Sequence, residues 1–271
     1  MEWNASPEIF NIGGFTLRWY GLFFASGLMI GYFIMGWVRR RELTTTAFAK
    51  SLDLDILLVV LVAGTVIGAR LFHALFYQWD YFQNHLIEIL YVWKGGLASH
   101  GGTLGILLAL WIYTKKTGIS ILWLLDRLAI PIMLTAGLIR MGNFANSEII
   151  GTVTNVPWAI IFKATASDLP RHPVQLYEAF AYLSLFIGLL LSYVKTQIEN
   201  RRGMLFGIML LGTFASRFIF EYFKMRLVLP AANESASIFS VGQWSSIPFV
   251  LAGLYLIVMS KPAPHNGKVT V

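Results

Sequence analysis

Three stretches of this chain gather side chains able to do acid–base or anion chemistry. The run Arg140-Met141-Gly142-Asn143-Phe144-Ala145-Asn146-Ser147-Glu148-Ile149-Ile150-Gly151 sets a cation, two amides and a carboxylate within nine residues. Such a set is costly to bury unless it binds something. In Gly95-Gly96-Leu97-Ala98-Ser99-His100-Gly101-Gly102, four glycines surround one histidine. Glycine lets backbone approach a ligand closely and exposes N–H groups. As a third stretch, His172-Pro173-Val174-Gln175-Leu176-Tyr177-Glu178 reads as a helix start. Pro173 suits the first helical position, and Gln175 and Glu178 then share a face. Farther on, Arg217 stands one turn before Glu221, and Gln243 opens the final apolar run. Cysteine is absent, which removes disulfides, thiolate ligands and a cysteine nucleophile. The five histidines are scattered, without a His-x-x-x-His pair or an aspartate cluster, so neither a metal nor a cofactor is expected.

The elements that hold these groups follow from composition. Of 271 residues, 56% are hydrophobic and 13% charged, against about 45–50% and about 25% in soluble domains. Mean hydropathy is +0.64. An all-α integral membrane protein is the expected class. A span needs about 20 mostly apolar residues, and seven segments qualify: 15–38, 54–76, 97–113, 121–139, 174–194, 204–223 and 241–260. Residues 1–11 hold Glu2 and Glu8 but no Lys or Arg, so the first span is read as retained rather than as a cleavable signal. With no repeat or linker, residues 1–271 are expected to form a single polytopic membrane domain.

Lys and Arg orient the bundle. One set of loops holds eleven: Arg39, Arg40, Arg41, Lys50, Lys115, Lys116, Lys195, Arg201, Arg202, Lys261 and Lys268. The opposite loops hold five: Lys94, Lys163, Arg171, Lys224 and Arg226. Seven spans with this bias place the N-terminus outside and the C-terminus in the cytoplasm. Residues 143–173 then form a small external cap. A second external segment, 78–94, carries Trp79, Tyr81, Tyr91 and Trp93, which suit an interfacial aromatic belt. The net charge of +7 does not mark a nucleic-acid binder, because the cations sit in short clusters between apolar runs.

Five arginines remain: Arg18, Arg70, Arg127, Arg140 and Arg217. Arg127 is expected to pair locally with Asp126. In this topology the other four lie toward the outer face. An ionised group inside a span costs at least ~2.5–3.5 kcal/mol, so such groups tend to face a wet interior and to be functional. Two guanidiniums, Arg140 and Arg217, without enough carboxylates imply an anionic ligand, for which phosphate suits arginine. Snorkelling to the interface accounts equally for Arg18 and Arg171. The rival class is a transporter of an anionic lipid or solute, which would need polar residues through the full membrane thickness. The cytoplasmic halves of most spans are almost uniformly apolar.

The run from Arg140 to Gly151 resembles the signature of the bacterial prolipoprotein diacylglyceryl transferases. Further matches fall in that family's order: Arg18-Trp19-Tyr20-Gly21, Gly68-Ala69-Arg70, the His100 stretch, His172 to Glu178, Arg217 with Glu221, and Ser240-Val241-Gly242-Gln243. They cover about residues 17–250. Ile139 stands where the family signature carries glycine. The resemblance implies a seven-helix enzyme of the bacterial inner membrane with its active site toward the outer face. Its lipid substrate would be phosphatidylglycerol, and its partners membrane lipid and preprolipoprotein signal peptides with a lipobox cysteine. The diacylglyceryl unit would pass to that cysteine's thiol, forming a thioether and releasing glycerol phosphate. Arg140 and Arg217 would clamp the phosphate, Asn143 and Asn146 would donate to its oxygens, and Glu148 and Glu221 would orient the arginines. Tyr20 and Arg70 would line the headgroup pocket. His100 is the candidate base for the thiol, since an imidazole titrates near ~6.5. Gly151, His172, Gln175, Tyr177, Glu178 and Gln243 complete the expected binding set. Gln175 and Gln243 also suit plain interhelical hydrogen bonding, and Glu221 a plain salt bridge.

Overall fold

The computed structural model describes residues 1–13, 15–165, 167–196, 198–225 and 239–260. Arg226, Lys261 and Lys268, counted above for topology, lie outside the described residues. The chain is mostly helical, with short strands near its N-terminus and in the 146–173 segment. In order the elements are β1 (Glu2–Trp3), β2 (Glu8–Ile12), β3 (Phe15–Arg18), α1 (Trp19–Glu42), α2 (Ala47–Ser51), α3 (Leu54–Phe72), α4 (Trp79–Phe82), α5 (Ser99–Thr117), α6 (Ile121–Ala145), β4 (Ile161–Phe162), α7 (Val174–Lys195), α8 (Met204–Phe220) and α9 (Val241–Met259). Among the described residues, six helical segments are long and apolar enough to cross a membrane: Trp19–Glu42, Leu54–Tyr77, Ile121–Ala145, Val174–Lys195, Met204–Phe223 and Val241–Met259. The seventh expected segment is also a helix, α5, whose glycine-rich start and terminal Lys115 and Lys116 make it less apolar.

Two compact units make up the chain: Met1–Ile34 with Leu125–Val271, and Met35–Leu124. In the second unit, α3 and α5 pack backbone to backbone. A Cβ on Gly105 would overlap the Gly64 carbonyl, and one on Gly68 would overlap the Gly101 carbonyl. This small-xxx-small pairing lets helices approach where no hydrophobic effect drives them together. Polar groups tie down the ends. Asp53 caps α3 through the N–H groups of Asp55 and Ile56, both at 3.0 Å. The Tyr113 hydroxyl donates to the Asp53 carbonyl at 3.0 Å, and the Trp123 indole donates to Glu42 Oε2 at 3.0 Å.

In the first unit, β1 pairs in parallel with β4, Glu2 opposite Ile161 and Trp3 opposite Phe162. Trp3 packs against Phe144 with ring centres 4.4 Å apart and planes tilted by 43°, beside the fully buried Phe162. The antiparallel pair β2–β3 sets Glu8 opposite Arg18. This corrects the expected first span: residues 15–18 are strand, and the helix starts at Trp19 because the edge of β2 offers Phe15 to Arg18 backbone partners. Arg18 therefore makes an exposed ion pair with Glu8 at 3.5 Å and does not enter the helix. Asp126 makes the expected pair with Arg127 and has a second role. Arg127 lies 3.9 Å away, but the Asp126 carboxylate accepts from the Gly203 and Phe206 N–H groups at 2.6 and 2.9 Å. Its main task is to cap the orphan donors at the start of α8.

Candidate active site

Within the first unit, four stretches carry polar groups: the end of α6 with the loop after it, the start of α7, the end of α8 and the start of α9. α6 runs to Ala145, so Arg140 and Asn143 share a helix face and their side chains meet. The Arg140 Nη1 donates to Asn143 Oδ1 at 3.3 Å. Beyond the helix, Ser147 and Ile149 hold positive φ of 55° and 56°. That backbone costs about 1–3 kcal/mol per residue and persists only where the surroundings over-determine it, commonly at functional loops. Here the loop is fixed by Glu148, which accepts from Asn143 Nδ2 at 3.1 Å and Asn146 Nδ2 at 3.0 Å, while Gln175 Nε2 donates to its carbonyl at 2.5 Å. Asn146 Oδ1, Ser147 Oγ and Gln175 Oε1 are buried with no hydrogen-bond partner among the described residues. They remain open to a ligand or to water.

Gly151 closes the loop. Its N–H donates to the His172 carbonyl at 3.0 Å, and an added Cβ would lie 2.7 Å from His172 Cβ and 2.8 Å from the Phe223 carbonyl, so only glycine fits. Pro173 occupies the N-cap of α7 instead of the expected first helical position, with its φ of −78° and ψ of 69° turning the chain into the helix. One turn in, Glu178 is fully buried. Its Oε2 lies 2.9 Å from Arg140 Nε and its Oε1 lies 2.9 Å from Lys224 Nζ. Neither contact is aligned as a hydrogen bond, so charge pairing compensates the burial. Tyr182, one turn further, lies within electrostatic range of both Arg140 and Arg217.

Arg217 is half-buried and makes no ion pair or hydrogen bond through its guanidinium among the described residues. Glu221, one turn on, points elsewhere: Oε2 meets Lys224 Nζ at 3.4 Å and Oε1 accepts from Ser240 Oγ at 3.2 Å. Ser240 and Gln243 form a reciprocal capping box at the start of α9, and Gln243 Nε2 reaches back to the Phe218 carbonyl at 3.3 Å. The carboxylates expected at the arginines are thus reassigned. Glu178 holds Arg140, whereas Glu148 organises the two asparagines and Glu221 serves Lys224 and Ser240. Tyr20 packs on the signature, because a Cβ on Gly142 would be 3.0 Å from Tyr20 Cα.

The loop after α6 and the start of α7 hold a short relay. Trp158 Nε1 donates to the Tyr177 hydroxyl at 2.7 Å, which lies 3.0 Å from His172 Nδ1. When Tyr177 donates onward, Nδ1 accepts and the neutral His172 ring carries its proton on Nε2. Burial lowers the His172 pKa below its ordinary 6.5 and favours the neutral ring.

Arg70 and His100 belong to the second unit. The Arg70 guanidinium is buried and committed to backbone: Nε to Ile89 O at 2.9 Å, Nη2 to Glu88 O at 2.6 Å and Nη1 to the Gly95 and Gly96 carbonyls. It lies over the Phe82 ring at 5.0 Å and so pins residues 86–96. His100 is the second residue of α5 and exposed, with Phe72 at 6.3 Å between ring centres. Tyr182 and Lys224 join the cluster although neither was expected there. Their signal was spacing: Tyr182 stands four residues after Glu178, and Lys224 three after Glu221.

A family profile described as prolipoprotein diacylglyceryl transferase matches residues 7–259. The phosphatidylglycerol–prolipoprotein diacylglyceryl transferase of Tolumonas auensis is 48% identical over 259 residues, covering 95% of this chain and 96% of that protein. The enzyme of the same name from Chloroherpeton thalassium is 47% identical, covering 95% and 93% respectively. That of Porphyromonas gingivalis is 39% identical and covers 100% of this chain and 98% of its own.

Proposed function

The chain belongs to the prolipoprotein diacylglyceryl transferase family, and on that premise we propose that it moves the diacylglyceryl group of phosphatidylglycerol onto the lipobox cysteine of a preprolipoprotein. The cysteine sulfur forms a bond to the glycerol carbon carrying the phosphate ester. The carbon–oxygen bond breaks, and glycerol phosphate leaves with the electron pair and the developing charge. The attacking thiol belongs to the substrate, which suits an enzyme with no cysteine of its own. A base takes the thiol proton, and His100 is assigned that role on its chemistry.

One observation carries this reading: in a membrane-embedded unit, Arg140 is held in place by its Nε while Arg217 has no carboxylate on it among the described residues. With Nε engaged by Glu178, the edge of Arg140 left for a phosphate is the one formed by its two terminal nitrogens. A planar fork there can grip two oxygens together. Donors fixed before the charge develops stabilise it most. Asn143 and Asn146, organised by Glu148, and Tyr20, against Gly142, complete the proposed binding set with Gly151, His172, Gln175, Tyr177, Glu178, Glu221 and Gln243. Arg70 contributes by holding the glycine-rich stretch before His100. The reaction is proposed to run without metal or cofactor.

The proposed setting is the bacterial inner membrane. There the chain would form one polytopic domain of seven spans, α5 included, with its N-terminus and the 143–173 cap outside and its C-terminus cytoplasmic. The test is direct. Purified protein incubated with phosphatidylglycerol and a lipobox peptide should yield a peptide whose mass rises by a diacylglyceryl unit in thioether linkage. Glycerol phosphate released without peptide modification would identify a phospholipid hydrolase instead. Movement of the lipid without chemistry would identify a transporter.

A further inference from the structure

We propose that Lys224 is a positioning residue which keeps Arg217 available to an anionic substrate by holding Glu221 away from it. The inference rests on the reading above for the substrate's identity. Its geometry stands alone. Arg217 and Glu221 are four residues apart at the end of α8, a spacing at which opposite charges ordinarily meet on a helix. They do not meet here. Glu221 Oε2 pairs with Lys224 Nζ at 3.4 Å, and its Oε1 takes the Ser240 hydroxyl at 3.2 Å. Gly242 makes room for that placement, since a Cβ there would collide with the Glu221 carboxylate.

Lys224 reaches a second carboxylate as well. Its Nζ is 2.9 Å from Glu178 Oε1, and the other oxygen of Glu178 holds Arg140 Nε at 2.9 Å. The Lys224 side chain is only 13% exposed, and the Glu178 side chain is 0% exposed. Among the described residues of this cluster the charges of Glu178 and Glu221 are balanced by Arg140 and Lys224, and Arg217 has no carboxylate on it. Backbone pairing between Gly151 and Lys224 fixes where that lysine starts. Remove the ammonium and Glu221 loses its cation. The nearest remaining cation along the helix is Arg217, one turn back. Quenched by Glu221, Arg217 would no longer offer an open guanidinium to a phosphate.

The test compares Lys224→Met, Lys224→Arg and the double variant Lys224→Met/Glu221→Gln with the wild type. Two quantities are read: thioether formation at varied phosphatidylglycerol, and binding of phosphatidylglycerol against phosphatidylcholine followed by tryptophan fluorescence. Lys224→Met should weaken phosphatidylglycerol binding and raise its KM by about tenfold or more. Lys224→Arg should restore both. The double variant should recover most of the loss, because the quenching carboxylate is gone. A wild-type phenotype in Lys224→Met would overturn the proposal. So would a double variant no better than the single at equal thermal stability, which would make Lys224 a direct substrate ligand or a purely structural strut. If the wild type binds phosphatidylglycerol but makes no thioether, the proposed function fails, while the binding series still decides the role of Lys224.

Discussion

At the scale of single residues, the arrangement explains why arginine and not merely positive charge is needed. Arg140 uses Nε for Glu178 and Nη1 for Asn143, and still has terminal N–H groups to offer. Lysine keeps the charge but has a single nitrogen, so it cannot hold Glu178 and Asn143 while presenting two parallel N–H groups to a phosphate. Arg140→Lys and Arg217→Lys should therefore each lower thioether formation by about 10²–10³, the usual loss when one donor to developing charge is removed. His100→Asn should cost less, because a thiol near neutrality is already a few per cent thiolate. The measurement is thioether yield in membranes, normalised to protein level. Lysine variants near wild-type rate beside a dead His100→Asn would sink the phosphate-clamp assignment. The cation and amide cluster was legible in the sequence as a run within nine residues. Which carboxylate serves which arginine was not. Glu148 is nearer Arg140 along the chain, but it lies beyond the end of α6 and turns onto the two asparagines, so Glu178 from another helix fills the position.

At the scale of elements, helix positions followed from apolar runs, and their ends were set by partners that hydropathy does not see. Residues 15–18 are apolar enough to continue a span yet pair with β2. α6 continues past residue 139 through Arg140 and Asn143, because these side chains find partners one turn apart. The same holds for packing: glycines spaced four apart in residues 64–68 and 101–105 are visible in sequence, but only contact shows that α3 and α5 use them against each other. Gly68→Leu should force those backbones apart and destabilise the protein by about 1–3 kcal/mol, the usual cost of overpacking. Gly188→Ala in α7, where a Cβ meets nothing within 4 Å, should be neutral or slightly stabilising. Thermal unfolding of both variants in one detergent checks the contrast. Equal stability would mean that the α3–α5 contact is looser than its geometry indicates.

For the whole molecule, orientation turns on how many helices cross. Two effects place cations at helix ends: the helix dipole favours them at every C-terminus, and membrane topology favours them only on the cytoplasmic side. The two make different demands on the described helices. Last turns of α1, α5 and α7 carry Arg39, Arg40 and Arg41, then Lys115 and Lys116, then Lys195. Last turns of α3 and α8 carry a single arginine each, Arg70 and Arg217, and that of α6 carries none. α7 carries one cation, as α3 and α8 do, and the last turn of α9 carries none, so the bias rests on the three arginines of α1 and the two lysines of α5, which suit the proposed seven crossings. Since the protein has no cysteine, single cysteines report sidedness without background. Cysteines replacing Ser6, Thr44 and Thr196 should divide two ways: Ser6→Cys labelled by an impermeant maleimide from outside, Thr44→Cys and Thr196→Cys labelled only after permeabilisation. α5 decides the last of these. If α5 lay outside the membrane, every later helix would reverse and Thr196→Cys would label together with Ser6→Cys while Thr44→Cys stayed protected, so that one position separates seven crossings from six.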